Sequence, residues 1–367
     1  MPNLSGFRLA GASAILALLL LCAAVRGSEV GSPVVPFAMI PPEVLAHLRE
    51  QSAAKEAVAI IHAADAGLTQ PPRPLPRVHT EGTLPHQGIR DQSVEAEKDW
   101  VLMLDFGLAY RLTGDHRYLD ADDHFLTAWL GVYKASFDPI DETNMDQIIL
   151  ADDLTGSDLP EATREKMTGF LRDLAGGYLD RIDQQIINRR EDNANWQSHR
   201  IKLIVLASYA LGDVSLISRA EKAFQRQVTV NIHLDGSVED FYKRDALHYV
   251  TYDLEPLGLA ALAAKEHGQD WFHGSPSVAS AVDWLVPFAL GEKTHQEFVH
   301  SIVKFDAIRA QAGLKGYSGI WDPAHSVYLL GIASALDSKY EPVLETTIRH
   351  AGHHPPAWLA LLVKAGL

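Results

Sequence analysis

The chain has 367 residues, 47% of them hydrophobic, and a formal net charge of −15. This length and apolar content allow a large buried core, as one large domain or two smaller ones. The acidic balance excludes general binding to nucleic acid or to anionic lipid, because the overall field repels polyanions. A polyanionic ligand would need local Arg, Lys and His residues, and the chain has 17 histidines.

The N-terminus has the pattern of a secretory signal peptide. Arg8 precedes an apolar run over residues 10–25, and the small Gly27 suits cleavage after it. The run is short for a membrane-spanning helix, so an uncleaved anchor is the weaker alternative. We therefore expect a periplasmic or secreted protein that lacks residues 1–27 and has no membrane attachment after cleavage.

Cys22 is the only cysteine and lies within this segment. A lipoprotein modified at Cys22 is a further alternative, although Leu21 is a poor residue before a lipidated cysteine. Cleavage would leave a mature chain without a disulfide, thiol nucleophile or zinc–thiolate site. Loss of Arg8 and Arg26 would make its net charge −15 − 2 = −17.

A long loop follows the first predicted helix. Residues 34–42 are rich in proline, and residues 43–66 have helical periodicity. The loop at 69–92 forms a basic island in an acidic chain, with Arg73, Arg77, His79, His86 and Arg90. Loops of this length in compact domains are often functional, so we interpret it as a candidate lid, against the alternative of a solvated loop.

From Ser93 onward the sequence predicts a succession of helices. Ser93 is a candidate N-cap, Gly176-Gly177 a candidate break and Pro256 a candidate kink or break. The predicted helices span residues 93–112, 116–133, 144–154, 159–190, 195–211, 214–230, 240–267, 277–290, 323–336, 339–350 and 355–365.

This succession of helices indicates the fold class. No run alternates as a strand would, and no fixed period indicates a solenoid. Consecutive helices with short connections pack as antiparallel hairpins, and this many helices exceed a four-helix bundle. We predict an all-α fold, an incomplete (α/α) toroid or barrel of antiparallel helical hairpins, with residues 28–367 as one domain.

Several common kinds of site are missing from the sequence. It has no phosphate-binding Gly-rich loop, dinucleotide fingerprint, His-Glu-x-x-His motif or nucleophile-elbow serine. His353-His354 precedes two prolines and is more typical of a loop than of a metal site. We therefore expect no cofactor and no metal.

Two polar clusters interrupt the helical pattern. In the first, Asn195 lies four residues before His199, so both can face one way on a helix, and Trp196 is a candidate sugar-stacking platform. The alternatives are that Asn193 or Asn195 is only the N-cap, that Trp196 belongs to the core and that His199 is a hydrogen-bonded core or surface residue.

In the second cluster, Arg244, His248 and Tyr252 are spaced by four residues and would share one face of a helix, with Tyr249 beside them. The alternative is a solvated face with a salt bridge. A guanidinium beside a phenol would lower the tyrosine pKa, which suits a residue that accepts and donates a proton.

These residue types suit β-elimination from a uronic acid unit of a polysaccharide. The proton at C5 is weakly acidic because the adjacent carboxylate is negative, and Asn and His hydrogen bonds would offset that charge in the transition state. A base then removes the proton, and an acid protonates the departing glycosidic oxygen. No metal is required.

The same residues carry a resemblance to a known family. The stretches Asn195-Trp-Gln-Ser-His-Arg200 and Arg244-Asp-Ala-Leu-His-Tyr-Val-Thr-Tyr-Asp-Leu-Glu-Pro-Leu257 resemble the alginate lyase superfamily with an (α/α) toroid. The likeness is closer to polysaccharide lyase family 38 than to family 5, and it spans residues 93–336. Residues 108–114, 138–144 and 300–306 support it in the same order.

The resemblance implies a role for each matched residue. Tyr252, which follows His199 by 252 − 199 = 53 residues, is the expected proton-transferring phenol, with Tyr249 as the alternate. His199 is expected to neutralise the carboxylate, or to act as base where the C5 proton is anti to the leaving oxygen. Arg244 would tune the phenol or hold the carboxylate.

The sequence departs from family 5 in two places. Ser198 stands directly before the histidine, where family 5 has asparagine, so Asn195 one turn earlier is the expected replacement. The spacing from Arg244 to Tyr252 also differs by one residue. Weaker substrate-binding candidates complete the predicted site: Asn144, His300, Lys304 and Arg309 at a subsite and Trp321 as a stacking or core residue. An ion pair on a helix surface is the alternative for Lys304 and Arg309.

The leading hypothesis is an exported, endo-acting lyase (a carbon–oxygen lyase, EC 4.2.2.-) for an anionic polysaccharide, either glucuronan or mannuronate-rich alginate. One alternative is a glycoside hydrolase on the same toroid, with a carboxylate pair such as Asp152 and Asp240. The other is a non-catalytic periplasmic polysaccharide-binding protein. The sequence leaves the choice of polyuronate and the oligomeric state open.

Overall fold

Helices make up most of the computed structural model, which describes residues 35–187 and 193–367. Their bounds are α1 Pro42–Leu48, α2 Lys55–Gly67, α3 Arg90–Thr113, α4 His116–Val132, α5 Asp146–Thr155, α6 Glu161–Ile187, α7 Asn195–Leu211, α8 Val214–Asn231, α9 Glu239–Arg244, α10 Leu247–Glu266, α11 Val278–Ala289, α12 Lys304–Gln311, α13 Val327–Leu336, α14 Glu341–Ala351 and α15 Ala357–Lys364. The described residues contain two isolated β-bridges and no strand, which confirms the all-α class.

The predicted signal peptide, residues 1–27, lies outside the described residues. Residues 36–367 form one compact unit. Among the helices that are described, none has both the length and the apolar character to cross a bilayer.

The inner helices form a ring. Helix α3 packs on α5, α5 on α7, α7 on α10 and α10 on α13. Helix α15 packs against both α13 and α2, and α2 returns the circuit to α3. The other long helices pack around this ring, with α4 on α3, α6 and α8 on α7, and α11 and α14 on α13.

Burial explains why only some helices show clear amphipathic periodicity. In α7, 14 of 17 residues are buried, because it lies between α6, α8, α5 and α10. In α8 the buried residues recur every three or four positions, from Ala220 to Asn231, as in a helix with one face in the core. A helix that is enclosed on all sides has no solvent-facing side, so its sequence shows no alternation of polar and apolar faces.

The predicted hairpin between α7 and α8 is confirmed. Helix α7 ends at Gly212, whose φ of 60° places it in the left-handed region that glycine adopts without steric cost. The Asp213 side chain then accepts hydrogen bonds from the backbone N–H groups of Ser215 and Leu216, which caps α8. Two adjacent residues therefore end one helix and start the next.

Several predicted boundaries are wrong. Residues 43–66 form two helices, α1 and α2, and α3 begins at Arg90 instead of being capped by Ser93. The Ser93 hydroxyl donates to the carbonyl of Ile89 inside the first turn. Helix α12 was not predicted.

The predicted helix 240–267 is interrupted in the structure, although not at Pro256. Asp245 has a φ of 50° and Ala246 is extended, so α9 and α10 are separate helices. Pro256 lies inside α10 without ending it. The break is held by the loop after α11, since the backbone N–H groups of Phe298 and His300 donate to the carbonyl and carboxylate of Asp245.

Gly177 in α6 does not break the helix as expected; it makes room for a neighbour. A Cβ at this position would lie 2.1 Å from the Phe137 ring, whereas a Cβ on the adjacent Gly176 would meet nothing within 4 Å. Gly177→Ala should therefore lower the free energy of unfolding by about 1–3 kcal/mol, the usual cost of overpacking.

The matched control is Gly176→Ala, which should raise the stability by about 0.5–1 kcal/mol because alanine restricts the unfolded chain and favours the helix. Urea denaturation of both variants measures the difference. Equal stabilities would show that the Phe137 ring moves aside without cost.

Candidate active site

Two cavities meet at Tyr252. The first, of about 380 Å³, is here called the arginine cavity and is lined by Glu81, Gly82, Ile140, Asn195, Trp196, Arg244, His248, Tyr249, Tyr252, Val303, Phe305, Arg309 and Tyr317. The second, of about 320 Å³, is called the central cavity and is lined by Val101, Thr143, Asn144, Asp146, Gln147, His199, Lys202, Tyr252, Glu255, Pro256, Leu259, Tyr328, Pro356 and Trp358. Of the described residues, Tyr252 alone lines both.

The central cavity lies within the ring of helices. Val101 belongs to α3, Asp146 to α5, His199 to α7, Tyr252 to α10 and Tyr328 to α13. Trp358 of α15 completes its lining. The inner helices α3, α5, α7, α10, α13 and α15 thus each contribute a side chain to one cavity.

His199 lies beside Tyr252, as the resemblance implied. The two ring centroids are 4.3 Å apart and the planes are tilted by 48°. His199 is only 3% exposed, and its Nε2 is buried without a hydrogen-bond partner among the described residues. Burial, with a smaller contribution from Lys202, holds the pKa of His199 well below its usual range, so the ring is neutral at pH 7.

The hydrogen bonds around His199 favour one tautomer. Thr143 Oγ1 lies 2.6 Å from His199 Nδ1 and 3.4 Å from Lys202 Nζ. An ammonium group only donates, so the Thr143 hydroxyl can accept from Lys202 and keep its own proton for donation to Nδ1. The imidazole proton is then on Nε2, and His199 presents a hydrogen-bond donor beside Tyr252.

The pKa expectation for Tyr252 is wrong. Burial raises the pKa of Tyr252, and the nearby Glu255 raises it further, while Arg309 and Arg244 lower it by less. The break at Asp245 explains why Arg244 has only a small effect, because Arg244 and Tyr252 do not share one helix face. In the free enzyme the Tyr252 phenol is therefore protonated at neutral pH.

Arg244 contacts Tyr249 instead. Its guanidinium carbon lies 3.7 Å from the centroid of the Tyr249 ring, and its Nη1 donates to Asp306 at 2.6 Å. The Tyr249 hydroxyl accepts a hydrogen bond from Arg309 at 2.8 Å and lies 3.5 Å from the Tyr317 hydroxyl. Both arginines thus face the cavity beside Tyr249, whose phenol already has partners.

Of the two candidate asparagines, Asn195 lines the arginine cavity. Its backbone N–H and its side-chain amide both donate to one oxygen of Asp240 at 2.8 Å. Asp240 also lies 3.5 Å from Nε of Arg244, so one buried carboxylate positions two residues of the cavity. Asn193 instead accepts a hydrogen bond from Lys243 at 2.6 Å.

Ser198, which stands where family 5 has asparagine, points into the core. Its hydroxyl donates to Asp253 at 2.5 Å and accepts from Gln227 at 3.1 Å. The serine therefore serves the packing of α7 against α8 and α10 and does not line either cavity.

The loop at 69–92 reaches the arginine cavity with Glu81 and Gly82 at its tip. Its basic residues do not line the cavity. Arg73 pairs with Asp99 at 2.7 Å and His79 with Asp141 at 2.9 Å. Asp141 also accepts from the backbone N–H of Glu81 at 2.8 Å, which anchors the tip over the cavity.

The remaining predicted residues divide into two groups. His248 and Trp196 line the arginine cavity, and Asn144 lines the central cavity. His300 and Lys304 are exposed and line neither cavity, so the structure does not bring them to the site. In the sequence, Lys304 lies between the lining residues Val303 and Phe305, and His300 lies three residues before Val303.

The remaining predictions concern the Asp152–Asp240 pair, Trp321 and Arg309. Asp152 and Asp240 do not form a carboxylate pair in either cavity, since Asp152 lines neither and Asp240 binds Asn195 and Arg244. Trp321 is buried, in agreement with the core role. Arg309, a weak candidate in the sequence, contacts Tyr249 directly.

Sequence reasoning missed Lys202 and Glu255, although both had a detectable signal. Each lies three residues after a predicted catalytic residue, His199 or Tyr252, and so on the same helix face. Tyr317 and the tip of the loop at 69–92 had no such signal, because they reach the cavity from distant segments.

Comparisons with known proteins show the family of the chain. The family model described as alginate lyase matches residues 44–295, which are 252 of the 367 residues. A search of curated protein sequences finds no match.

Solved structures share the fold. An alginate lyase from Bacteroides ovatus superposes with a TM-score of 0.65 at 14% identity, covering 90% of this chain and 99% of that one. Alginate lyase A1-III from Sphingomonas species A1 gives a TM-score of 0.55 at 16% identity, covering 83% and 90%. A tyrosine-to-phenylalanine variant of A1-III, complexed with a tetrasaccharide, gives the same TM-score and identity over 82% and 90%.

These likenesses confirm the (α/α) toroid predicted from the sequence. The family match also decides between the three hypotheses, because it covers more than half of the chain and includes the predicted catalytic helices α7 and α10. The protein belongs to the alginate lyase family and is a polysaccharide lyase, a carbon–oxygen lyase.

Proposed function

We propose that this lyase cleaves mannuronate-rich alginate or glucuronan by syn β-elimination, with Tyr252 as both base and acid. One observation carries the proposal: Tyr252 lines both cavities, and the His199 ring, whose Nε2 is unpartnered, lies tilted beside it at a centroid distance of 4.3 Å. A polymer that occupies both cavities would present a glycosidic bond to the Tyr252 hydroxyl.

The chemistry requires two proton transfers on one side of the sugar. The C5–H bond breaks, the C4–O bond to the leaving sugar breaks, and a C4=C5 double bond forms. Mannuronate and glucuronate place the C5 proton syn to the leaving oxygen. Tyr252 first loses its own proton to solvent, and its phenolate then removes the C5 proton and, as the resulting phenol, donates a proton to that oxygen. Guluronate would need an anti path and a separate base.

His199 supports the syn path because its favoured tautomer presents a donor. A protonated Nε2 can hydrogen-bond the uronate carboxylate as charge develops at C5, and a preorganised donor in a water-poor cavity is effective in this role. The same tautomer has no lone pair on Nε2 and cannot accept the C5 proton. We therefore assign His199 to carboxylate neutralisation.

The arginine cavity supports binding of further anionic sugars. Arg244 and Arg309 both line it, and a guanidinium matches a carboxylate with paired hydrogen bonds. Asn195, held by Asp240, adds an amide beside them. We further propose that the protein is exported, as its N-terminal sequence predicts, because a polymeric substrate is encountered outside the cytoplasm.

The test is a panel of polymannuronate, glucuronan and polyguluronate, with ultraviolet absorbance of the new double bond as the measurement. We expect absorbance to rise with polymannuronate or glucuronan and much more slowly with polyguluronate. Faster cleavage of polyguluronate would contradict the syn mechanism, and no absorbance from any polyuronate would contradict the proposed function.

A further inference from the structure

The central cavity contains a carboxyl group that the proposed reaction does not use. Glu255 follows Tyr252 by three residues on α10, so both side chains lie on one face of the helix and line this cavity. A carboxyl group this close to a binding site for anions needs a compensating cation or a neutral form.

Lys202 is the nearest cation, but it has other partners. Its ammonium group donates to the Thr143 carbonyl at 2.6 Å and to Asp146 at 2.8 Å, and it lies 3.4 Å from the Thr143 hydroxyl. An ammonium group has three donors, and these contacts use all three. Lys202 therefore acts on Glu255 only through its charge.

The other charged groups that face Glu255 have a net charge close to zero. Lys202 of α7 is paired with Asp146 of α5, and His199 is neutral. Tyr252 of α10 and Tyr328 of α13 are protonated phenols, since burial raises the pKa of each. Trp358 of α15 has no charge, and no arginine is among the described residues that line this cavity.

The ionisation of Glu255 therefore sets the net charge of the central cavity. Burial raises the pKa of Glu255 to about 8, with the charge of Lys202 acting in the opposite direction. Because the pKa is raised, the neutral form prevails below pH 8 and the carboxylate above it. A neutral carboxylic acid can donate a hydrogen bond to an anion in a buried site.

We propose that the central cavity binds one uronate unit of the substrate and that Glu255 is the residue that controls its occupancy: the neutral carboxyl donates a hydrogen bond to this sugar, and the carboxylate repels it. This inference rests on the proposed function, since it takes a polyuronate as the ligand. It extends the site from the cleavage point into the ring of helices.

Direct measurement of Kd in an inactive variant tests this inference without catalytic turnover. The probe is a saturated mannuronate tetrasaccharide, titrated calorimetrically into Tyr252→Phe and into Tyr252→Phe combined with Glu255→Gln. A group with a pKa of about 8 changes from about one-tenth to nine-tenths ionised between pH 7 and pH 9, so we expect Kd to rise about tenfold in the single variant. In the double variant it should change less than twofold.

Glu97 provides a matched control. Burial raises its pKa to about 7, and it accepts a hydrogen bond from Asn144, which lines the central cavity, whereas Glu97 itself does not. In Tyr252→Phe combined with Glu97→Gln, the tenfold rise in Kd should remain. Loss of the pH dependence in this control, or its persistence after Glu255→Gln, would overturn the role of Glu255.

Two further measurements distinguish a failure of folding, of the proposed function and of the role of Glu255. Thermal melts establish that each variant is folded, and Glu255→Ala should also remove the pH dependence if Glu255→Gln does not fold. Binding that responds to pH as described, together with no cleavage by the unmodified enzyme, would overturn the proposed function and leave the binding role intact. Cleavage with pH-independent binding would overturn the role of Glu255 alone.

Discussion

Tyr252→Phe should lower kcat on a cleaved polyuronate by about 10³-fold, the usual effect of removing a residue that transfers protons in the transition state. The substitution removes one oxygen atom and keeps the ring that contacts His199 at 4.3 Å. KM should change little, because the packing of both cavities is preserved. Ultraviolet progress curves at several substrate concentrations separate the two constants.

Tyr249→Phe is the matched control, since Tyr249 lies on the same helix and lines the arginine cavity. Its hydroxyl accepts from Arg309 and lies beside Tyr317, so its loss should act mainly on substrate binding. We expect a rise in KM and a decrease in kcat of less than about tenfold. The reverse pattern would assign proton transfer to Tyr249.

The raised pKa of Tyr252 also gives the direction of the pH dependence. Because the phenol is protonated in the free enzyme, the base form becomes more abundant as pH rises, and kcat/KM should increase from pH 6 to pH 8. A maximum of kcat/KM below pH 7 would indicate a base with a lower pKa.

His199→Ala should lower kcat/KM on polymannuronate by about 10²-fold or more, comparable to the removal of one preorganised donor from a transition-state site. Nε2 is buried without a hydrogen-bond partner among the described residues and His199 lines the central cavity, so we expect the lost interaction to be one with the substrate. Steady-state kinetics, with a thermal melt to establish folding, is the measurement.

Thr143→Val is an isosteric companion variant that leaves the imidazole in place. It removes the hydroxyl that lies 2.6 Å from Nδ1 and sets the tautomer. We expect a decrease in kcat/KM of about tenfold, intermediate between the unmodified enzyme and His199→Ala. If His199→Ala abolished cleavage of polyguluronate but spared polymannuronate, His199 would be the base of an anti elimination.

Much of the fold follows from local patterns in the sequence. Helix α7 was predicted with its observed bounds because Gly212 and Asp213 provide a C-terminal glycine and an N-cap in succession. His199 and Tyr252 were recognised as a pair because each lies in a short motif typical of the family. Their contact in space is consistent with the packing of α7 on α10.

The rest depends on contacts that no local pattern encodes. The break at Asp245 has no proline or glycine, and it is held by hydrogen bonds from Phe298 and His300, about fifty residues away in sequence. The four-residue spacing therefore predicted one shared helix face for Arg244 and Tyr252 that does not exist. Glu81 and Tyr317 reach the site from loops whose positions depend on the complete fold.

The ring of inner helices also makes catalysis depend on the cooperative folding of the domain. The lining of the central cavity extends from Val101 to Trp358, with a contribution from each inner helix between α3 and α15. Local unfolding of any of these helices would open the cavity to water and weaken the electrostatic contacts of Tyr252 and His199. Enzymatic activity therefore depends on the joint packing of the inner helices that line this cavity.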